Sequence, residues 1–458
     1  VEARAVAESR EAEAREIADF LAGVFEVADP NESDGEEVTA REILDRGAER
    51  IEHELADRPG TRARLLGVLG GVYSRLGLYE RALPLLERSL ELTLTQPDDG
   101  VVQELRARVR LGDLHLKMAQ VDRAEEVLGP VPAALDRAPD LDPAEAVEAL
   151  ACLSRLAYEQ GDMAASAELL DRAVARAEQG AGPDAAIVGD LLSDRAALWR
   201  VQNEWERAIA DGRRALELRE RHYGPHDPRV ATTLNTLMLS LTGAGQLEEA
   251  VAVGERALAM RERILGPEHP RTSTALNNLG LVYKKLGRLD RAEELYRRSL
   301  EIRRATLGEG HPRVATVYSN LGSVYIERGD LDRAEEMQLR ALAIAEAAYG
   351  PDHQKVATIL TGLGDIAYRR EEYDREVEIH RRVLRIRESS YGPDSPSLAW
   401  VLRNLGVTLR LQGRPAEAAE QFERCRRIVL SAYGPDHPLI AELDERLAAL
   451  DLPEPDAG

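Results

Sequence analysis

The phrase Leu265-Gly-Pro-Glu-His-Pro270 has counterparts at Tyr223-Gly-Pro-His-Asp-Pro228, Leu307-Gly-Glu-Gly-His-Pro312, Tyr349-Gly-Pro-Asp-His353, Tyr391-Gly-Pro-Asp-Ser-Pro396 and Tyr433-Gly-Pro-Asp-His-Pro438. Their glycines stand at 224, 266, 308, 350, 392 and 434, always 42 residues apart. The same step reaches upstream through Leu69, Leu111, Leu153, Leu237, Leu279, Leu321, Leu363 and Leu405, with Arg195 alone out of line. These positions define nine copies of one unit, and a period of this length is the signature of a repeat architecture.

Within a copy the apolar spacing is helical, as in Leu276, Leu279, Gly280 and Tyr283, followed by Gly287 and a second periodic run through Ala292, Tyr296, Ser299 and Leu300. Glycine suits the residue after a helix because it takes positive φ without a Cβ clash, and it recurs at Gly77, Gly161, Gly245, Gly287, Gly329 and Gly413. Each copy therefore reads as a helical hairpin. The point where the two helices cross must be small, and it is Ala82, Ala124, Ala208, Ala250, Ala292, Ala334 and Ala418, with Ser166 and Glu376 as exceptions.

On these residues the sequence resembles the tetratricopeptide repeat family, whose first helix carries leucine, a small residue or glycine, then an aromatic. Eight residues beyond the usual 34 lengthen the second helix and the turn, as in the kinesin light chain variant of the repeat. The run Thr274-Ala-Leu-Asn-Asn-Leu-Gly-Leu-Val-Tyr283 is similar to that variant almost residue for residue. The expected fold is all-α: a right-handed superhelical solenoid of nine hairpins, with helices before it and a capping helix after it.

Three segments follow. Residues 1–60 form an N-terminal helical segment, with a charged helix over 1–28, a loop at 29–38, and a helix from Thr39 to about Ala56 opened by a capping box of Thr39 and Glu42. Residues 61–437 hold the repeats, and 438–458 a capping helix and tail. The stretches Ile17-Ala-Asp-Phe-Leu-Ala-Gly-Val-Phe-Glu-Val-Ala-Asp-Pro30 and Val38-Thr-Ala-Arg-Glu-Ile-Leu-Asp-Arg-Gly-Ala-Glu-Arg-Ile51 resemble the segment that joins a membrane-anchored bacterial serine/threonine kinase to its C-terminal repeats. That resemblance implies a piece excised from a longer chain that starts just beyond a membrane helix. The chain itself carries no glycine-rich loop, His-Arg-Asp or Asp-Phe-Gly phrase.

Composition limits the partners. A net charge of −22 leaves no basic face for phosphates, which argues against nucleic acid. No apolar run reaches the eighteen residues of a membrane span. Cys152 and Cys425 lie more than six repeats apart, too far for a disulfide, and two cysteines cannot make a four-ligand zinc site. Cys425 shares its register with Ala257, Ser299 and Ala341, a small packing position, while Cys152 falls on a first helix at a place that can face the groove.

Signs of chemistry are weak. The turn histidines His226, His269, His311, His353 and His437 are about one interhelical spacing apart, roughly 8–10 Å, too far to share an ion. They read as turn structure. Asp29, Asn31 and Ser33 alternate like a calcium loop, but the glycine comes one place late and Ala40 stands where a bidentate glutamate belongs. No Walker loop, His-Glu-x-x-His or nucleophile elbow is present, so neither catalysis nor a cofactor is expected.

Binding is the remaining function. In the family the first helices line the concave face, which places Asn235, Asn277, Asn278, Lys284, Lys285, Asn320, Tyr368, Trp400, Arg403, Asn404 and Arg410 in the groove. An asparagine both donates and accepts, which suits gripping a peptide backbone. Asn278, Asn320 and Asn404 share a register and match asparagines that contact cargo in kinesin light chain repeats; the competing reading is that they brace neighbouring helices. The cations favour an acidic peptide, and the aromatics suit a bulky apolar anchor. Residues 1–200 carry a net −18 and 201–458 only −4, which points a groove ligand to the second half. The expected function is a protein or peptide scaffold, the sensory or partner-recruiting region of a bacterial serine/threonine kinase, or alternatively a free-standing adaptor. Self-association through residues 1–28 is a further expectation.

Overall fold

The computed structural model describes residues 40–96, 100–138 and 141–450. The helix expected over 1–28, the loop after it, the Thr39 cap and the tail lie outside them. The described residues are helical hairpins joined by short turns, with no strand among them, and they divide into two units at Gly224 and Pro225.

In the first unit α1 (Ala40–Glu54) leads into α2 (Pro59–Arg75) and α3 (Tyr79–Leu94), then α4 (Gly100–Lys117), α5 (Val121–Leu128) and α6 (Val131–Arg137). It continues with α7 (Pro143–Glu159), α8 (Met163–Ala181), α9 (Ala186–Val201) and α10 (Trp205–Tyr223). Leu44 and Ile51 of α1 enter the same core as Leu65, Leu66 and Tyr73 of α2, and the Tyr73 hydroxyl donates to Asp45 at 2.5 Å. The second copy departs from its expected single long second helix. Pro130 has no N–H to give and its ring collides with the turn behind it, so the helix stops at Leu128 and restarts at Val131.

The second unit holds α11 (Pro228–Gly243), α12 (Leu247–Leu265), α13 (Pro270–Lys285), α14 (Leu289–Leu307), α15 (Pro312–Arg328) and α16 (Leu331–Tyr349). It ends with α17 (Gln354–Arg369), α18 (Tyr373–Tyr391), α19 (Ala399–Leu411), α20 (Pro415–Tyr433) and the closing α21 (Pro438–Ala448). The crossing alanines Ala250, Ala292, Ala334 and Ala418 are 0% exposed, as are Ala82, Ala124 and Ala208 of the first unit. A Cβ on Gly280 would lie 2.8 Å from the Tyr296 ring, and one on Gly406 only 2.5 Å from Phe422. That close approach is why a glycine follows the first-helix leucine wherever the second helix supplies a ring.

The turn phrase is explained atom by atom. Its glycine takes positive φ at Gly224, Gly266, Gly308, Gly350, Gly392 and Gly434, which stops one hairpin. Its proline opens the next as the first helical residue at Pro228, Pro270, Pro312 and Pro438, where the missing N–H costs nothing. The histidine before it is an N-cap: Nδ1 of His269, His311, His353 and His437 accepts the amide two residues on, at 3.0 to 3.3 Å. Asp227 and Ser395 do the same in their copies, while His226 stands one place earlier in the turn. Among the described residues no cluster of three or more His, Cys, Asp or Glu is arranged to hold a metal.

Ion pairs continue the period from one second helix to the next. Arg298 reaches Glu262 at 2.5 Å, Arg382 reaches Glu346 at 2.6 Å and Arg424 reaches Glu388 at 2.6 Å, each pair 36 residues apart. Arg382 and Arg424 also donate to the turn carbonyls of Pro351 and Pro393. Arg214 makes the corresponding contacts with Glu178 and Pro183 in the first unit. Arg195, the residue out of line in the leucine series, is held by Asp211 and Asp171, both at 2.7 Å, and so trades apolar packing for a charged network.

Candidate functional site

The candidate groove residues of the second unit lie on its first helices, where the 42-residue step puts one register on α11, α13, α15, α17 and α19 in turn. Asn278 donates its amide to Asn235 at 3.1 Å, and Asn320 donates to Asn277 at 2.9 Å, so a ladder of asparagine side chains runs from α11 through α13 to α15. Asn277 approaches Asn278 at 3.5 Å. The braces anticipated as the competing reading are therefore present. Each carboxamide offers two donors and two lone pairs, so these bonds leave part of every half-buried side chain open.

The cations separate into two groups. Arg403 is tied to Glu442 of the closing helix at 2.7 Å and to Asn404 at 3.2 Å, and Lys284 pairs with Glu327 at 3.3 Å. Burial alone would raise the Glu442 carboxyl, but hydrogen bonds from Arg403 and Arg446 and their charge hold it below its ordinary value. Lys285 and Arg410 are exposed and make no ion pair among the described residues. The aromatics are accessible: Tyr368 is 43% exposed, edge-on to Tyr373, and Trp400 is 37% exposed above the buried imidazole of His380 at 5.6 Å between ring centres.

Beneath Trp400 lies a polar core that no pattern of composition announces. Glu376 is 2% exposed and His380 1%, at positions where the final copy carries Ala418 and Phe422. His380 Nδ1 is 3.3 Å from Glu376, and Thr408 donates to the second carboxylate oxygen at 2.6 Å. Asp365, facing them from α17, is raised by burial against the pull of His380 and Arg369. The break at Glu376 in the alanine series is the one signal of this cluster in the sequence.

Both cysteines are buried. Cys425 packs against the Ala399 carbonyl at 3.2 Å, and burial pushes its thiol up to about 11. Cys152 lies at the wall of a cavity but is covered, and burial pushes it up to about 12, so neither is a reactive thiolate.

That cavity, of about 600 Å³, lies in the first unit between α2, α4, α7 and α9. Its charged lining is mixed, with Arg75, Arg110, Lys117 and Arg155 beside Asp113, Glu148, Asp190 and Asp194. The net charge of each half of the chain gives no sign of this lining. No helix among the described residues is long and apolar enough to cross a membrane.

Comparison with known proteins agrees with this architecture. The tetratricopeptide repeat model matches residues 188–262, 229–305, 313–389 and 377–431, and related models of the same repeat match 65–100 and 147–184. These matches span more than half of the sequence, and the chain belongs to the tetratricopeptide repeat family. No curated protein matches it.

Among solved structures, the apo form of the quorum sensor NprR from B. thuringiensis is 16% identical and superposes with a TM-score of 0.60 over 79% of this chain and 98% of its own. A Rap protein complexed with competence and sporulation factor is 15% identical, with a TM-score of 0.53 over 84% and 99%. A Podosopora anserina putative kinesin light chain with nearly identical TPR-like repeats is 19% identical, with a TM-score of 0.39 over 43% and 94%. A stack of such repeats presents extended binding surfaces, and the class it defines is a protein-binding scaffold.

Proposed function

We propose that this scaffold recruits its partner through the first helices of the second unit, by gripping the backbone of an extended peptide. The observation that carries this is the ladder from Asn235 and Asn278 to Asn277 and Asn320, which fixes the carboxamides in orientation and leaves hydrogen-bonding capacity unused. Lys285 and Arg410 supply positive charge that is in no ion pair among the described residues, and Tyr368 and Trp400 are exposed rings for an apolar anchor. The preferred ligand is an extended, acidic peptide with one bulky apolar side chain. The solved Rap complex with a bound factor supports this reading by fold alone.

We infer further that the chain serves as the sensory or partner-recruiting region of a bacterial serine/threonine kinase. The resemblance of residues 17–51 to a kinase-to-repeat connector is what supports this step. Reading the gene upstream of Val1 tests it: a membrane helix and kinase motifs agree, whereas a start codon close by makes the protein a free-standing adaptor. The groove itself is tested by selecting peptides from a display library on the purified chain and repeating the selection on Asn278→Ala and Asn320→Ala. Enriched peptides that lose affinity in both variants support the reading. Enrichment indifferent to both substitutions overturns it.

A further inference from the structure

The last three turns share a phrase that no earlier turn has in full. Tyr349-Gly-Pro-Asp352, Tyr391-Gly-Pro-Asp394 and Tyr433-Gly-Pro-Asp436 each end a second helix in a tyrosine and place an aspartate three residues on. The glycines at 350, 392 and 434 take the same positive φ, so one backbone turn carries ring and carboxylate together in every copy. Asp352, Asp394 and Asp436 are exposed, and none makes a hydrogen bond or ion pair among the described residues.

The first of the three rings already holds a cation. Lys355 of α17 donates its ammonium to the Tyr349 hydroxyl at 2.9 Å and stands 4.5 Å from the ring centre, while His353 stacks on the same ring at 4.6 Å. One copy on, Ser397 replaces Lys355, and in the last copy Leu439 does. Tyr391 is 51% exposed and Tyr433 59%, and neither ring has a cation against it among the described residues. His437 stacks on Tyr433 at 5.0 Å as His353 does on Tyr349, so such a stack leaves a ring able to take a cation. The Tyr391 hydroxyl donates to Gln354 of the preceding turn, which puts neighbouring turns within one side chain's reach.

The nearby arginines are engaged elsewhere: Arg424 pairs with Glu388 and donates to the Pro393 carbonyl, and Arg387 donates to the Ser397 carbonyl. Leu430 takes the position that Glu388 has one copy earlier, so the row of ion pairs ends there, and it is 38% exposed one helical turn before Tyr433.

We propose that this edge of the last two copies is an interaction surface for a basic partner protein, which sets one arginine against Tyr391 and Asp394 and another against Tyr433 and Asp436. Lys355 at Tyr349 is the internal precedent for the ligand chemistry. A guanidinium suits the open copies better than an ammonium because it lies flat on a ring and offers a carboxylate two parallel N–H donors. Equivalent points of neighbouring hairpins are about 8–10 Å apart and an extended chain advances about 3.3 Å per residue, so the two arginines stand about three residues apart. The surface is separate from the groove of the first helices and takes the opposite charge, so neither reading depends on the other.

The experiment titrates the full chain with short fluorescent peptides, otherwise glycine and serine, that carry two arginines three residues apart, two lysines at the same places, or two citrullines. The arginine peptide binds most tightly and the citrulline peptide does not bind. Tyr391→Leu and Tyr433→Leu each weaken the arginine peptide about two- to fivefold, the range of a cation on an exposed ring. Ser397→Lys, which gives Tyr391 an internal cation, weakens it as well. Asp436→Asn weakens it, whereas Asp57→Asn, the same loss of charge at an exposed position of the first unit, does not. Thermal unfolding verifies that each variant is folded. Equal effects of Asp436→Asn and Asp57→Asn, the mark of a general attraction to an acidic chain, overturn the proposal, as does binding indifferent to both tyrosine substitutions. Self-association of the chain in sedimentation that Tyr433→Leu abolishes assigns the edge to a second copy and overturns it too. Asn278→Ala is the control: it leaves the arginine peptide unaffected, so failure here and failure of the groove are seen separately.

Discussion

Glu371 sits at φ +60° in the position that Gly329, 42 residues earlier, occupies at φ +80°. The same holds for Ala119 at +58° and Asn203 at +62°, and these three are the non-glycine residues with positive φ among the described residues. All three fall in the register of Gly77, Gly161, Gly245, Gly287 and Gly413. The hairpin dictates the left-handed turn, whatever side chain the copy carries. A Cβ in that region costs about 1–2 kcal/mol, part of which glycine gives back through its greater freedom in the unfolded chain. Glu371→Gly and Ala119→Gly are expected to stabilise by about 0.5–1 kcal/mol, and Asn203→Gly by less, in equilibrium denaturation. A loss of stability in Glu371→Gly contradicts this account of the turn.

The capping histidines make a second test. His269 accepts the Arg271 amide through Nδ1, the role Asp227 fills one copy earlier. His269→Ala is expected to lower stability by about 1 kcal/mol, and His269→Asp to preserve or raise it, since a carboxylate caps a helix start and complements its dipole. Thermal unfolding compares the two. Equal loss in both assigns the histidine some role other than capping.

Acid stability follows from Glu335. Burial alone would raise its carboxyl, but hydrogen bonds from Arg375 and Arg370, with their charge, bring it below the ordinary value. A carboxyl depressed in the folded state stabilises the fold fully above the unfolded value of about 4.3 and loses that contribution as pH falls through its folded value. Stability should therefore drop below about pH 4.5, and Glu335→Gln should flatten that part of the curve. A slope identical in the variant assigns the acid sensitivity elsewhere.

Glu376 and His380 are expected to be coupled. Removing either partner leaves the other buried without its polar neighbour, a loss of about 1–3 kcal/mol, whereas replacing both with apolar side chains of fitting shape can be nearly neutral or stabilising. Glu376→Ala and His380→Phe should each destabilise, and the double variant should recover most of the loss, because Ala and Phe are what the corresponding positions Ala418 and Phe422 already carry. Additive losses in the double-mutant cycle contradict the pairing.

Periodicity makes the hairpins legible because a single geometric demand recurs every 42 residues. A small side chain is required at Ala292, a left-handed turn at Gly287 and an N1 proline at Pro270, and each leaves its mark in one-letter code. The interrupted helix at Gly129 and Pro130 is equally readable in principle, but the regularity of the other copies masks it. The site is less legible. Register picks out Asn235, Asn277, Asn278 and Asn320, yet their mutual hydrogen bonds depend on the distance between neighbouring helices, which spacing along the chain does not specify. Arg403 has the register of a groove cation, but the closing helix brings Glu442 to it. The charged cavity of the first unit requires comparing four helices at once.

The central claim, that partners are held by first helices rather than second helices, is tested most directly by hydrogen–deuterium exchange of the full chain with and without a display-selected peptide. The account predicts slowed exchange on α13, α15, α17 and α19, with α14, α16, α18 and α20 unchanged. Protection confined to the second helices would contradict it.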